Sequence, residues 1–287
     1  MKKIKAIHTA VSEPIGDLVT YRAMPTDKVP MNQLDPFIFL NHHGFQQYAP
    51  HNNGLPFGPH PHRGFETVTF ILEGDLMHKD SAGGANVINA GGVQWMTAGK
   101  GLIHAEISSD AFMQQGGPLE ILQLWINLPA KNKMANPHYV GLQKSDIPAI
   151  NFDDGRTIVN VVSGTIDGIK GAIEPLTDIT LASVYFKKDG KLKLKIAEDR
   201  TVFFYVVKGT VTVNDQKASM HQLVEFEKDE EEINVTADAE AIILLGHAKP
   251  FGEPFVAYGP FVMNTKEEIQ EAYKDYREGK FGDPDAF

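Results

Sequence analysis

Two short motifs in the first half of the chain each place two metal-ligand side chains one residue apart. The first is His60-Pro-His62 and the second is His104-Ala-Glu106. Alternate side chains of an extended strand point to the same face, so each motif presents both of its ligands together. If the two strands face one another across the interior of a β-barrel, three imidazoles and one carboxylate converge. Such a set suits a divalent transition metal and leaves room for water or substrate.

The residues between the two motifs have the pattern of short strands joined by tight turns. Residues 65–72 (FETVTFIL) are rich in β-branched and aromatic side chains, which favour strands. Turn signals stand at Glu73-Gly74-Asp75, Ala90-Gly91-Gly92 and Ala98-Gly99-Lys100-Gly101. Strands that recur every 8–12 residues or so predict an all-β sandwich or barrel. If the strand continues without a bulge, Val68, Phe70 and Leu72 share the parity of the histidines and line the same interior.

Other interpretations of the histidines are weaker. A lone His-x-His also occurs at surface turns, but a second ligand pair with matching spacing favours the metal site. The chain has no cysteine, which excludes a zinc finger, a disulfide framework and a catalytic thiol. Three further histidines, His42, His43 and His51, follow a predicted strand over residues 35–41. Because glycine, proline and asparagine surround them, we expect them to be solvated in a loop.

Length and charge limit the classes of protein to be considered. A chain of 287 residues is long enough for two domains with separate cores. A formal net charge of −10 argues against binding to nucleic acid or to anionic membranes. No signal peptide or membrane span is visible in the sequence. The expected location is the cytoplasm, with the nucleus as an alternative in a eukaryotic cell.

The second half repeats the strands and turns without the ligand pairs. Predicted strands lie at 178–186, 201–207, 210–213 and 241–245. Gly209 follows its strand as Gly74 does in the first half, which suggests an internal duplication. His221 and His247 are isolated and predict structural roles, and the acidic run 225–232 predicts a solvated hairpin. The sequence therefore predicts a metal-binding domain over residues 1–135 and a domain without metal ligands over residues 136–287.

The end of the chain carries one clear helix signal. Thr265 and Glu268 fit a capping box. Apolar or aromatic residues follow with helical spacing, and Gly279 ends the pattern. We expect a short C-terminal helix at about residues 265–278.

Several long motifs resemble the pirin family of bicupins. They are His60-Pro-His-Arg-Gly-Phe-Glu-Thr, Gln94-Trp-Met-Thr-Ala-Gly-Lys-Gly, His104-Ala-Glu, Leu122-Gln-Leu-Trp-Ile-Asn-Leu-Pro-Ala-Lys-Asn-Lys-Met and Gly259-Pro-Phe-Val-Met-Asn-Thr-Lys-Glu-Glu-Ile. The chain departs from the family pattern at Gly92, where aspartate is usual, and at Ala105, where serine is common. The resemblance implies two cupin β-barrels (double-stranded β-helix or jelly-roll) in tandem with a short C-terminal helix.

The resemblance also implies a cofactor and an activity. One metal per chain would be held by His60, His62, His104 and Glu106. Iron(II) is the expected ion, while the ligands alone also suit nickel, manganese, cobalt, copper or zinc. The implied reaction is quercetin 2,3-dioxygenase chemistry, in which dioxygen opens the central ring of a flavonol. The metal would act as Lewis acid toward the substrate hydroxyl oxygen, and Glu106 would be the catalytic base.

Two alternatives remain open at this point. Pirin-like proteins also include transcriptional coregulators that bind other proteins and use the redox state of the metal as a switch. A metal enzyme with an unknown small-molecule substrate is the other alternative. The flavonol hypothesis predicts a small aromatic substrate and dioxygen as partners, with no direct nucleic-acid or membrane contact.

Overall fold

The computed structural model describes residues 1–81 and 83–283 as short antiparallel strands with two helices. Residue 82 and the last four residues of the predicted second domain lie outside the described residues. The elements of the first half are β1 (Ile4–Thr9), β2 (Val11–Ser12), β3 (Thr20–Met24), β4 (Phe37–Tyr48), β5 (Phe57–His62), β6 (Phe65–Glu73), β7 (Asp75–Asp80), β8 (Ala85–Asn89), β9 (Val93–Thr97), β10 (Leu102–Ile107), α1 (Asp110–Gln115), β11 (Gly117–Asn127) and β12 (His138–Leu142).

The second half continues in the same way. Its elements are β13 (Ala149–Phe152), β14 (Thr157–Ser163), β15 (Thr165–Ile166), β16 (Ile169–Lys170), β17 (Ile179–Phe186), β18 (Gly190–Lys195), β19 (Thr201–Lys208), β20 (Thr210–Val213), β21 (Gln216–Ser219), β22 (Gln222–Phe226), β23 (Glu232–Ala237), β24 (Ala241–Ala248), β25 (Val256–Tyr258), β26 (Phe261–Met263) and α2 (Lys266–Arg277). Within the described residues, no helix is long and apolar enough to span a membrane.

The chain forms two compact units, and each is a cupin barrel, which confirms the predicted fold. The first barrel contains residues 12–20, 37–81, 83–145 and 251–283. The second barrel contains residues 1–11, 21–36 and 146–250. The second barrel therefore includes residues 1–11 and 21–36, and the first includes the C-terminal segment. The predicted division into residues 1–135 and 136–287 instead cuts the chain at one point.

Two antiparallel sheets form the first barrel. One includes the successive strands β12-β9-β6-β11-β4, and the other has the order β5-β10-β7-β8. In the second sheet His104 of β10 lies directly opposite His60 of β5, and Glu106 lies opposite His78 of β7. Apolar side chains pack in this barrel as well, and Ile71, Leu76 and Ile88 belong to one buried cluster.

The C-terminal helix is present and carries the predicted capping box between Thr265 and Glu268. It packs against the first barrel, although the sequence division assigned it to the domain of residues 136–287. Its buried face, Ile269 and Ala272, contacts Ile103 of β10 in one apolar cluster. Sequence proximity suggested the second domain, but only non-local packing decides which barrel covers an apolar helix face.

The second barrel also consists of two sheets. Their orders are β1-β22-β19-β24-β17-β14-β13 and β18-β23-β20-β21, around one continuous apolar core. The acidic run 225–232 is not wholly solvated, because Glu225 is buried. Its carboxylate accepts hydrogen bonds from Lys5 and Gln33 and pairs with His8 at 2.9 Å. These contacts attach the first strand of the chain to the edge of the sheet.

Candidate metal centre

Three imidazoles meet inside the first barrel. The ring centres of His60 and His104 are 4.4 Å apart, those of His60 and His62 are 4.7 Å apart, and those of His62 and His104 are 5.0 Å apart. One nitrogen from each ring lies within 4.8 Å of the other two. Across residues 1–81 and 83–283, this is the only group of three or more potential metal ligands with that spacing.

Backbone carbonyls orient two of these rings. His60 Nδ1 lies 2.7 Å from the Gly58 carbonyl oxygen, and His62 Nδ1 lies 3.3 Å from the Pro260 carbonyl oxygen. A carbonyl oxygen only accepts hydrogen bonds, so each Nδ1 carries a hydrogen and Nε2 is the nitrogen of each ring that is left to bind a metal. Histidines that bind metals are commonly fixed in this way by their second nitrogen.

His104 gives the strongest indication that a ligand belongs here. Its side chain is fully buried, and neither ring nitrogen has a hydrogen-bond partner among the described residues. Burial, reinforced by the neighbouring imidazoles, holds the pKa of His104 and of His62 well below the usual range. Both rings are therefore neutral, which is the form that binds a metal, and a metal would satisfy the buried nitrogen of His104.

Glu106 is buried on the same strand as His104, and its carboxylate is held by three donors. Thr69 Oγ1 donates at 2.9 Å, Gln123 Nε2 donates at 2.5 Å, and Gln94 Nε2 donates to the same oxygen as Thr69. The indole of Trp125 donates to Gln123 Oε1, so the amide of Gln123 must present its NH₂ group to Glu106. These contacts fix the orientation of the Glu106 side chain beside the histidines, though it is not a member of the close group of three.

Aromatic rings form one wall of the centre. The Trp125 ring stacks on Phe39 at 4.5 Å and lies 5.3 Å from His62, and Phe65 lies 4.9 Å from His62. Such rings exclude water from one side of the histidines. They also hold the His62 ring in a single orientation.

The prediction that Val68, Phe70 and Leu72 line this interior is wrong. Thr69 donates to Glu106, so the odd-numbered residues of β6 face the ligands and the even-numbered ones face the other side of the sheet. The chain passes from one sheet to the other between β5 and β6 at Gly64, which has a φ of +87°. Parity counted through that turn does not carry over to the next strand.

A fourth imidazole, that of His78, lies next to the group. His78 is fully buried, its Nε2 lies 2.8 Å from Asp80 Oδ2, and its ring stacks on Tyr139 at 3.8 Å. The ring centres of His78 and His104 are 5.5 Å apart. Burial lowers the pKa of His78, while Asp80 and Glu106 oppose that shift.

Two of the histidines expected in a solvated loop are buried instead. His42 and His43 belong to β4, which continues well beyond the predicted strand. His42 Nε2 lies 2.9 Å from Glu120, and His43 Nδ1 lies 2.8 Å from Thr20 Oγ1. His51 is exposed, as expected. The strand continues through Gly44. The prediction of a loop was wrong because it took this glycine as a turn signal.

Thr69, Gln94 and Gln123 are functional candidates that the sequence analysis missed. The signal for Gln123 was present, because it is a polar amide in the middle of the otherwise apolar run ILQLWI. Buried polar side chains nearly always have a partner, so such a residue predicts a polar group opposite it. Gln94 stands in one of the motifs quoted above but was not assigned a role.

The residues present fit a first-row transition metal. Three imidazoles supply nitrogen ligands, and Glu106 offers an oxygen from the same face of the strand that carries His104. The donors around Glu106 and the carbonyls behind His60 and His62 form an outer layer that fixes ligand direction.

Comparison with known proteins identifies the family of this chain. The Pirin model matches residues 18–126, and the model of the Pirin C-terminal cupin domain matches residues 181–282. A Pseudomonas aeruginosa protein, whose name assigns it provisionally to quercetin 2,3-dioxygenase, is 33% identical over 98% of this chain and 99% of its own length.

Solved structures agree with that placement. The crystal structure of quercetin 2,3-dioxygenase from Acinetobacter baumannii has a TM-score of 0.93 at 35% identity, covering 99% of both chains. Bacterial pirin YhhW from Escherichia coli, in complex with nickel(II), has a TM-score of 0.67 at 25% identity, over 85% of this chain and 99% of that one. The chain belongs to the pirin family.

Proposed function

We propose that the protein is a metal-dependent dioxygenase that opens the central ring of flavonols such as quercetin. The observation that carries this proposal is the buried His104 ring beside His60 and His62, with unsatisfied nitrogens and neighbours already oriented as ligands. The names of the Pseudomonas and Acinetobacter relatives supply the reaction and the substrate class.

His60, His62, His104 and Glu106 would hold one metal, which we propose to be iron(II). When bound, the metal supplies Lewis acidity and one-electron chemistry toward dioxygen. Glu106 would be the base that accepts the flavonol hydroxyl proton. Its three donors would keep the carboxylate inside the centre while it does so.

The aromatic wall has a matching role in substrate binding. Trp125 and Phe65 present flat apolar surfaces beside His62, and a flavonol presents the same kind of surface. A water-poor pocket also strengthens the interaction between the metal and a deprotonated oxygen. The coregulator role stays a prediction, because no contact in the described residues favours it.

Oxygen uptake tests the proposal directly. We expect the iron-loaded protein to consume dioxygen only when quercetin is present. The variant His104→Ala should lose this activity, whereas His138→Ala, which removes an exposed imidazole in the same barrel, should keep it. Uptake that is absent from the iron-loaded protein, or unchanged in His104→Ala, would overturn the proposal. Parallel loading with nickel(II) and manganese(II) tests the choice of iron.

A further inference from the structure

The inner face of β6 carries a buried hydroxyl group that no contact of the metal centre uses. Thr67 is 1% exposed, and its Oγ1 has no hydrogen-bond partner among residues 1–81 and 83–283. Buried hydroxyl groups nearly always have a partner, because an unpaired one has lost its hydration without compensation. The position of Thr67 in the barrel indicates the kind of partner that suits it.

Two neighbours of Thr67 show which way its side chain faces. Thr69, two residues further along β6, donates to Glu106, and the strand pairing is regular between Thr67 and Thr69. Alternate side chains of a strand share a face, so Thr67 also faces the metal ligands. Trp125 lies directly across from Thr67 on β11, and its ring centre is 5.3 Å from that of His62. The unpaired hydroxyl therefore lies beside the aromatic wall of the metal centre.

Thr67 stands in the middle of a row of side chains that crosses five strands of this sheet. In order, the members of the row are Phe39, Trp125, Thr67, Met96 and Tyr139. Two of their polar groups are already occupied, because the indole of Trp125 donates to Gln123 Oε1 at 3.3 Å and the Tyr139 hydroxyl donates to Gln94 Oε1 at 3.4 Å. Within the described part of the chain, Thr67 thus carries the one side-chain donor of this row that has no partner.

The row combines flat apolar surface with a single donor, which suits a flat molecule that carries an acceptor. We propose that Thr67 is a substrate-binding residue whose hydroxyl donates to the keto oxygen of the flavonol. This inference rests on the proposed function and adds a contact that distinguishes one substrate from another. A flavonol has its keto group next to the hydroxyl that is assigned to the metal and Glu106. A keto oxygen only accepts hydrogen bonds, and a threonine hydroxyl can donate one.

The spacing of the strands permits this contact. Residues directly opposite each other on antiparallel strands have Cβ atoms about 4.5–5.5 Å apart. A flat ring that packs on Trp125 therefore brings its oxygen substituents within reach of the Thr67 hydroxyl.

The variant Thr67→Val tests the contact, because it removes the hydroxyl and keeps the branched shape. We expect its affinity for quercetin to be about tenfold lower than that of the wild type. Absorbance titration of the metal-loaded protein without dioxygen measures binding separately from turnover. Thr67→Ser keeps the hydroxyl and should restore the affinity. Catechin has the corresponding hydroxyl but no keto group, so Thr67→Val should not change its affinity.

Urea unfolding of the ligand-free protein separates a substrate contact from a structural one. Thr67→Val should be at least as stable as the wild type, because an unpaired buried hydroxyl does not stabilise the fold. Thr157→Val is the matched control. Thr157 is fully buried on β14 of the second barrel, and its hydroxyl also has no partner among the described residues. This control makes the same exchange of side chains and should leave the affinity for quercetin unchanged.

The possible failures can be told apart. If the wild type binds quercetin and Thr67→Val binds it equally well, the assignment of Thr67 is wrong and the proposed function is unaffected. An equal loss of affinity in Thr157→Val, or an equal loss for catechin, would also overturn the contact with the keto oxygen. A less stable Thr67→Val protein with unchanged affinity would show that the hydroxyl is structural. If the wild type binds no quercetin, the proposed function and this contact both fail.

Discussion

Glu66 of the first barrel gives the protein a pH dependence that can be measured. Its side chain is fully buried on β6, and Thr97 Oγ1 donates to one carboxylate oxygen at 2.6 Å. The other oxygen has no hydrogen-bond partner of normal geometry among the described residues. Burial raises the pKa of Glu66 to about 7, although Thr97 and the indole of Trp95 oppose the rise.

Proton linkage determines whether the free energy of unfolding rises or falls with pH. In the unfolded chain Glu66 loses its proton near its ordinary pKa, whereas in the folded protein it keeps the proton up to a pH of about 7. Between these values the folded state binds more protons, so the free energy of unfolding falls as the pH rises. A difference of about 2.5 pKa units corresponds to roughly 3 kcal/mol, lost between about pH 4.5 and 7.

The variant Glu66→Gln removes this titration. We expect its free energy of unfolding, relative to that of the wild type, to rise by about 3 kcal/mol between pH 5 and pH 8.5. Urea unfolding at several pH values measures the difference. Glu73→Gln is the control, because Glu73 is exposed at the end of the same strand. Parallel pH profiles for wild type and Glu66→Gln would show that Glu66 titrates normally and would refute the reasoning.

Three further substitutions test contacts around the metal centre. Glu106→Gln keeps an oxygen ligand but no proton acceptor, so on metal-loaded protein we expect quercetin turnover to fall about 10²–10⁴-fold with most of the metal retained; equal rates would make Glu106 a ligand only. Gly64→Ala places a methyl group 2.0 Å from the Val262 carbonyl oxygen at a φ of +87°, so urea unfolding should show a loss above roughly 3 kcal/mol. Asp275→Asn removes the carboxylate that accepts from the buried Arg63 at 2.8 Å, and we expect a loss of roughly 3 kcal/mol in the same assay. Unchanged unfolding in either variant would contradict these assignments.

The all-β fold and the histidine spacing were accessible from the sequence because both rest on local periodicity. Strands and turns alternate at short range, and a ligand pair one residue apart needs only an extended backbone. The C-terminal helix was accessible for the same reason, since the capping box of Thr265 and Glu268 is a local signal.

The contacts that complete the centre are non-local and were not accessible in this way. The Pro260 carbonyl that orients His62 comes from the distant C-terminal segment. Arg63 likewise bonds to Asp275 of the last helix. Sequence periodicity does not predict which distant carbonyl or carboxylate group contacts a given strand. The prediction of which β6 residues face the ligands failed for a different reason. The turn at Gly64 breaks the alternation of side chains between β5 and β6.

The metal content of the purified protein is the most direct test of the proposed metal centre. Elemental analysis of the purified protein, reconstituted and freed of excess ion, should give close to one metal per chain. His104→Ala should bring this value near zero, and His138→Ala should leave it unchanged. A value close to two metals per chain, or full occupancy in His104→Ala, would contradict the assignment of His60, His62, His104 and Glu106 as a single metal centre.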